Sequence, residues 1–294
     1  MSYIDEEIAS QPSCWASAAE LAAAVGDRLP AVGESVAIVG CGTSWFMAIA
    51  YAALREAAGH GQTDAFAASQ VPARRHYDRL VVISRSGTTT ECIRILSGPP
   101  IADRSTVVTA VANSPLPKLA NEIVVLEFAD ERSVVQTRFA TSTLALLRTS
   151  VGDDIAPAID AARDALQRPL EPEIAAADQF TFLGDGWAYG IALEAALKLR
   201  EAAQLWTEAY PSMEYRHGPI SIAAPGRVTW SLGAASPGLE DDVRRAGAHW
   251  LANDVDPMAE LVAVHRLASL HSVRRGLDPD RPRNLTRSVV LDWV

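Results

Sequence analysis

The stretch Val36-Ala-Ile-Val-Gly-Cys-Gly-Thr-Ser-Trp-Phe-Met-Ala48 decides the fold. It opens with an apolar run that is typical of a buried strand, turns at Gly40-Cys41-Gly42, and continues as an apolar helix. A second stretch, Phe180-Thr-Phe-Leu-Gly-Asp-Gly-Trp-Ala-Tyr-Gly-Ile-Ala192, repeats this layout of strand, Gly-x-Gly and helix. The repeat indicates a duplicated α/β unit.

Strands and helices alternate along both halves of the chain. In the first half we predict strands at 35–39, 63–68, 79–83, 105–111 and 123–128, a long helix that ends near Ser150, and another helix at 156–167. Strands that alternate with helices favour parallel sheets covered on both faces. The predicted fold class is therefore α/β, with two tandem doubly wound, flavodoxin-like units whose parallel sheets are flanked by helices. Helices in 1–30 would pack on a first domain at 31–168 and a second, shortened domain at 173–294.

Composition narrows the function. A formal net charge of -10 and a pI near 5.1 argue against a nucleic-acid partner. Three cysteines without metal-type or CxxC spacing fit reduced thiols. Acidic residues at 5–7 stand where a signal peptide would be basic, and Gly40 and Gly42 interrupt the charge-free run 36–54. We expect a cytoplasmic chain with no membrane partner.

The stretch 191–211 is interpreted as one amphipathic helix that ends near Pro211. At 3.6 residues per turn, Glu194, Lys198 and Glu201 share a face. Together with His217 a little further on, they form a candidate acid–base set.

The same spacing also fits an ordinary solvated i,i+4 ion pair between Glu194 and Lys198, so that alternative stays open. Lysine occurs only at Lys118 and Lys198 in a chain that otherwise uses arginine. The choice of lysine at position 198 suggests that this position needs a compact ammonium group, which arginine cannot supply.

Two hydroxyl-rich turns, Thr43-Ser44 and Ser84-Arg-Ser-Gly-Thr-Thr89, each join a predicted strand to a predicted helix. Backbone N–H groups, the helix dipole and hydroxyls at such turns form a neutral cradle for a phosphate dianion. Ordinary N-capping would explain one hydroxyl in each turn. Nucleotide binding is the weaker alternative, because Trp45 stands where a dinucleotide fingerprint needs its third glycine.

Five motifs together resemble the sugar isomerase (SIS) domain family. They are Val39-Gly-Cys-Gly-Thr-Ser44, Ile83-Ser-Arg-Ser-Gly-Thr-Thr-Thr-Glu91, Ala192-Leu-Glu-Ala-Ala-Leu-Lys-Leu-Arg-Glu201, Glu214-Tyr-Arg-His-Gly-Pro219 and Asp280-Arg-Pro-Arg-Asn-Leu-Thr-Arg-Ser288. The resemblance covers nearly the whole chain. It implies two SIS units, a homodimer with a shared active site, a small-molecule sugar phosphate as ligand, and neither metal nor cofactor.

The resemblance also assigns roles to single residues. It places the sugar phosphate on Thr43, Ser44, Ser84, Arg85, Ser86 and Thr89, with Val134 and Gln136 beside the sugar and Thr286 and Arg287 of the tail in the same binding set. Glu201 would move the proton between C1 and C2, and Lys198 would orient the open chain. His217, supplied by the partner subunit, would help to open the sugar ring.

Three departures from the family shape the functional prediction. Arg287 stands where the family's glutamine-dependent synthases carry an imine-forming lysine, and a guanidinium cannot form an imine. We also expect no glutaminase half, and a second half that is short enough to lack part of its sheet. We predict a sugar-phosphate isomerase, deaminase or deglycase acting on an amino- or keto-hexose 6-phosphate without glutaminase activity. The alternative is a non-catalytic sugar-phosphate sensor.

Overall fold

A computed structural model describes residues 2–292 of the chain. These residues divide into two compact units. The five-stranded unit comprises residues 13–132, 136–155 and 286–292, and the four-stranded unit comprises residues 2–12, 133–135 and 156–285. The domain bounds expected from the sequence, at 31–168 and 173–294 with helices in 1–30, stay a prediction.

The described residues form alternating helices and strands. The helices are α1 (Tyr3–Ala9), α2 (Gln11–Ala24), α3 (Thr43–Ala57), α4 (Thr90–Ser97), α5 (Arg138–Ser150), α6 (Ala156–Gln167), α7 (Pro172–Ala176), α8 (Ala188–Ala203), α9 (Leu239–Arg245) and α10 (Pro257–Arg274). The strands are β1 (Val36–Gly40), β2 (Thr63–Ala67), β3 (Tyr77–Ile83), β4 (Ala102–Thr109), β5 (Glu122–Val125), β6 (Gln179–Leu183), β7 (Trp206–Tyr210), β8 (Arg227–Leu232) and β9 (His249–Asn253).

The five-stranded sheet is parallel and has the order β2-β1-β3-β4-β5. Strand β1 is buried along its whole length, which is why it reads as a continuous apolar run. In this order the chain leaves β1 and β3 in opposite directions across the sheet, and ligands of such sheets bind where those two strands end. Both hydroxyl-rich turns lie at this point.

The four-stranded sheet is also parallel and has the order β7-β6-β8-β9. This order matches the first four strands of the other sheet, with no counterpart of β5 among the described residues. The predicted α/β class with two parallel sheets flanked by helices is confirmed.

The helix predicted over 191–211 is too long. Helix α8 ends at Ala203, and Gln204 takes a left-handed conformation with φ 53° that stops it. The next residues form strand β7, which pairs with β6. The alternation of Trp206, Glu208 and Tyr210 with smaller residues suits a strand, and pairing with β6 outweighed the helical pattern.

Other local predictions also need correction. Strand β9 was missed, because a short mixed segment such as His249–Asn253 is recognisable as a strand only through its pairing with β8. The sequence Gln11-Pro-Ser13 suggests Ser13 as the N-cap of a second N-terminal helix, but α2 already begins at Gln11. A short helix is also predicted over 115–120, where the structure has a single 3₁₀ turn at Leu116–Lys118.

None of the helices described between residues 2 and 292 combines the length and apolar character that a membrane span needs.

The first glycine of each Gly-x-Gly turn allows a helix to start directly over a strand end. A Cβ on Gly40 would lie 2.6 Å from the Ser44 carbonyl carbon and 2.8 Å from the Trp45 nitrogen. Gly184 meets the backbone of Ala188 and Tyr189 in the same way in the other unit. Neither position can accept a side chain without displacing the helix.

We expect Gly40→Ala to lower the free energy of unfolding by about 1–3 kcal/mol, because the new methyl group meets backbone atoms that cannot move independently. Gly26→Ala is the matched control, since nothing lies within 4 Å of a Cβ there. Urea unfolding of both variants measures the difference. Equal urea midpoints for the two variants would show that the close approach of the α3 backbone to Gly40 does not exclude a side chain at this position.

Candidate active site

The two hydroxyl-rich turns are built as the sequence predicted. Helix α3 begins at Thr43, directly after Gly42 with φ 54°, and α4 begins at Thr90 with Thr89 as its N-cap residue. The Gly87 N–H donates to Ser84 Oγ at 3.2 Å, and the Thr88 N–H donates to Ser86 Oγ at 3.2 Å. The second turn is thus a tight loop that directs its hydroxyls and the start of α4 to one place.

A small recess lies at these turns within the five-stranded unit. It is lined by Cys41, Ser44, Ile83, Ser84, Arg85, Ser86, Thr89, Gln136 and Arg287. Its volume of about 30 Å³ is far below the several hundred Å³ of ordinary ligand pockets. The recess is therefore sized for one small group, such as a phosphate, and not for a whole sugar.

The recess brings together seven of the ten residues predicted to bind the sugar phosphate, all except Thr43, Val134 and Thr286. Thr43 is buried in the first turn of α3. Thr286 donates from its hydroxyl to the Ser288 carbonyl at 2.9 Å. Val134 belongs to the four-stranded unit.

Two arginines at the recess are neutralised by carboxylates of the same unit. The Arg85 guanidinium is buried, lies 3.5 Å from the Glu131 carboxylate and donates to the Arg287 carbonyl at 3.1 Å. Burial lowers the pKa of Arg85, and Glu131 opposes that shift. Arg287 in turn bonds to the Asp130 carboxylate and to the Glu131 carbonyl. An anion here must rely mainly on N–H groups, hydroxyls and helix dipoles.

Sequence reasoning missed three residues of this region. Glu131 accepts hydrogen bonds from the backbone N–H groups of Thr137 and Arg138 at the start of α5, and Asp130 holds Arg287. Ser288 lies in the tail, and its Oγ accepts from Thr88 Oγ1 at 2.9 Å and from Ser86 Oγ at 3.1 Å. An acidic pair just before a helix start was the one available signal for the first two.

The tail crosses the second hydroxyl-rich turn next to Ser288. The Thr90 N–H donates to the Val289 carbonyl at 3.1 Å, and the Leu291 N–H donates to Thr90 Oγ1 at 2.9 Å. These contacts fix the tail residues 286–292 against the start of α4.

Helix α8 in the four-stranded unit carries the predicted acid–base residues. Lys198 Nζ lies 3.1 Å from Glu194 Oε1 and 3.0 Å from Glu201 Oε2. The side chains of Lys198 and Glu194 are 0% and 1% exposed, whereas Glu201 is 20% exposed. The alternative of a solvated surface pair is therefore wrong, because the pair is buried.

Lys198 is held as a cation. Burial by itself would lower the pKa of its amine, but the two neighbouring carboxylates outweigh burial and raise the pKa above its ordinary value. An ammonium of this kind cannot act as a base at neutral pH. It can donate hydrogen bonds to Glu194 and Glu201. Glu194, Lys198 and Glu201 are called the trio below, and Glu201 is its member with access to solvent.

His217 is the last residue of a 3₁₀ turn, Glu214–His217, in the same unit as α8. Its side chain is exposed, and Gly218 follows with φ 132°. The imidazole is accessible to a ligand or a second chain. Among residues 2–292, no group of three or more His, Cys, Asp or Glu side chains is placed to hold a metal ion.

Comparison with known proteins gives the context for this geometry. No protein-family model matches the chain. Glutamine–fructose-6-phosphate aminotransferase (isomerizing) from Methanothermobacter thermautotrophicus is 26% identical over 306 residues, covering 88% of this chain and 52% of that protein. The chain spans about half the length of the curated relatives that head its matches.

Solved structures share the fold over nearly the whole chain. Glucosamine-6-phosphate deaminase from Thermotoga maritima superposes with a TM-score of 0.78 at 22% identity, covering 99% of this chain and all of that one. Tagatose-6-phosphate ketose/aldose isomerase from Escherichia coli superposes with a TM-score of 0.80 at 17% identity, covering 100% of this chain and 98% of that one. These similarities establish the fold.

We expect Lys198→Met to lower the free energy of unfolding by about 3–5 kcal/mol, because it leaves the buried Glu194 carboxylate without its cation. Arg244→Met is the matched control: Arg244 also pairs at i,i+4, with Glu240 at 2.8 Å, but both side chains are at least half exposed. Arg244→Met should lower the free energy of unfolding by less than about 1 kcal/mol. Similar urea midpoints for the two variants would contradict the buried-pair assignment.

Proposed function

We propose that this chain is a sugar-phosphate isomerase or aminosugar-phosphate deaminase that acts by proton transfer between C1 and C2 of an open-chain hexose 6-phosphate. The observation that carries the proposal is the trio on α8, in which a buried ammonium holds one buried carboxylate and one accessible carboxylate, Glu201. Similarity to an isomerizing aminotransferase supports it, as does a fold shared with a deaminase and a ketose/aldose isomerase.

The phosphate is assigned to the recess in the five-stranded unit. The N-termini of α3 and α4 point there, together with the hydroxyls of Ser84, Ser86 and Thr89. A dianion is stabilised by such N-termini without net positive charge. The other proposed ligand contacts are Thr43, Ser44, Arg85, Val134, Gln136, Thr286 and Arg287.

Glu201 is assigned as the base. Its carboxylate removes the proton from C2 of an aldose, the electron pair of that C–H bond forms the C1–C2 double bond, and the C1 carbonyl oxygen takes up a proton to become an enediol hydroxyl. Return of the first proton to C1, with loss of the proton of the C2 hydroxyl, yields the ketose. For an amino sugar, the same transfer produces an imine at C2, and hydrolysis of that imine releases ammonia.

Lys198 and His217 have supporting roles in this proposal. The Lys198 ammonium orients the open chain and keeps Glu201 in place, and His217 of the partner subunit transfers the proton that opens the ring. The proposal thus includes a homodimer. Arg287 forms no imine with the sugar, because its guanidinium stays protonated.

Glu201→Gln should reduce turnover of the hexose 6-phosphate substrate by about 10²–10⁴-fold, since the amide cannot accept the carbon-bound proton. Glu208→Gln, which changes a carboxylate on the neighbouring strand β7, is the control and should stay within about twofold of the unmodified chain. Aldose–ketose interconversion and ammonia release are measured for both. Full activity in the Glu201 variant would refute the assignment.

Sugar phosphate should stabilise the chain and its Glu201→Gln variant against heating, because binding to the native state raises the melting temperature. Ser84→Ala combined with Thr89→Ala should remove most of this shift. The control Ser69→Ala changes an exposed serine of the same unit that does not line the recess. A phosphate-dependent shift without any turnover in the unmodified chain would favour the sensor alternative.

A further inference from the structure

A buried histidine lies behind the trio on α8. His265, on α10, is fully buried, and its Nε2 lies 3.8 Å from Glu194 Oε1. On its other side, Nδ1 is 3.2 Å from the side-chain nitrogen of Gln11, which is also fully buried. All of these residues belong to the four-stranded unit.

The contacts define the tautomer of His265. The Gln11 amide nitrogen also lies 3.4 Å from the Ile8 carbonyl, which orients its N–H groups as donors. Nδ1 of His265 must then accept, so the ring proton sits on Nε2, facing Glu194. A chain of polar contacts thus runs from Gln11 through His265, Glu194 and Lys198 to Glu201.

We propose that His265, oriented by Gln11, is a positioning residue that sets the basicity of Glu201 through Glu194 and Lys198; the kinetic part of this inference rests on the proposed function. The Nε2–H dipole favours the ionised form of the buried Glu194 carboxylate. The negative charge of an ionised Glu194 compensates part of the positive charge of Lys198. Glu201 therefore feels only part of that charge and stays a better proton acceptor.

The elements packed against α8 bring few competing charges. On α8 itself, Arg200 attracts both Glu201 and Glu194 and donates to the Thr207 carbonyl at 2.9 Å. On β7, Glu208 accepts from the Tyr210 hydroxyl at 3.2 Å, and on β8, Arg227 donates to the Ile222 carbonyl. Strand β6 carries no titratable side chain. His265 is the titratable group that α10 directs at Glu194.

Replacing His265 tests this chain of contacts. His265→Leu removes the Nε2–H group, so Glu194 shifts towards its neutral form and the full charge of Lys198 acts on Glu201. Glu201 then accepts the carbon-bound proton less readily, so kcat drops about tenfold or more and the pH–rate profile changes, with KM little changed. His265→Gln keeps one donor and one acceptor and should restore most of kcat.

His271→Leu is the matched control. His271 also lies buried on α10, but its contacts are the Ile174 carbonyl at 3.4 Å and the edge of Phe180. The same substitution there removes a buried imidazole from the same helix without touching Glu194. Its pH–rate profile should match that of the unmodified chain.

A second measurement needs no turnover. Because the chain has only two lysines, labelling lysine with ¹³C at Cε gives two side-chain NMR signals, and the exposed Lys118 serves as the reference. His265→Leu should shift the Lys198 signal and lower the pKa of Lys198, while His265→Gln and His271→Leu should not. If His265→Leu does not fold, Gln11→Met provides the milder variant, with the same direction of change.

The outcomes separate the two claims. If the Lys198 signal responds as expected but no hexose 6-phosphate is turned over, the positioning network stands and the proposed function fails. If His265→Leu and His271→Leu give the same Lys198 signal and the same pH–rate profile, the inference about His265 is refuted whatever the enzyme does.

Discussion

The pairing of the buried Lys198 ammonium with two carboxylates is the interaction on which the proposed active site depends. A lysine without solvent contact would lose its proton unless opposite charges compensated for the loss of water. Glu194 and Glu201, one turn before and one turn after it on α8, supply those charges at 3.1 and 3.0 Å. Since one carboxylate is enclosed and the other is accessible, the same arrangement that stabilises the cation also leaves the Glu201 carboxylate exposed to solvent.

The two units share a strand order but differ at the turns where ligands of such sheets bind. In the five-stranded unit the Gly-x-Gly turn is followed by Thr43 and Ser44, and a recess is left at the strand ends. In the four-stranded unit the middle residue of the turn is Asp185, whose carboxylate accepts from the Ser212 N–H at 2.9 Å. A carboxylate at that turn repels a second anion. This difference supports assigning the phosphate to the five-stranded unit.

Helices and strands could be predicted from the sequence where the residues of one element form a recognisable local pattern. Strand β1 was recognisable because it is apolar throughout, and the start of α3 because Gly-x-Gly and two hydroxyl residues mark it. Strands β7 and β9 were not, since their short, mixed sequences become strands only through pairing with β6 and β8. The burial of Lys198 could not be read from its spacing either, because i,i+4 pairs look alike on a buried and an exposed face. Ser288 and Ser86 are 202 residues apart in the chain, and no local pattern predicts such a contact.

The most direct test of C1–C2 proton transfer is proton NMR of the purified chain in heavy water with glucosamine 6-phosphate, galactosamine 6-phosphate, fructose 6-phosphate and a fructosamine 6-phosphate. We expect at least one of these compounds to lose its C1 or C2 proton signal as deuterium enters from solvent. Unchanged C1 and C2 signals for every compound, at enzyme concentrations where the sugar phosphate is bound, would contradict this expectation.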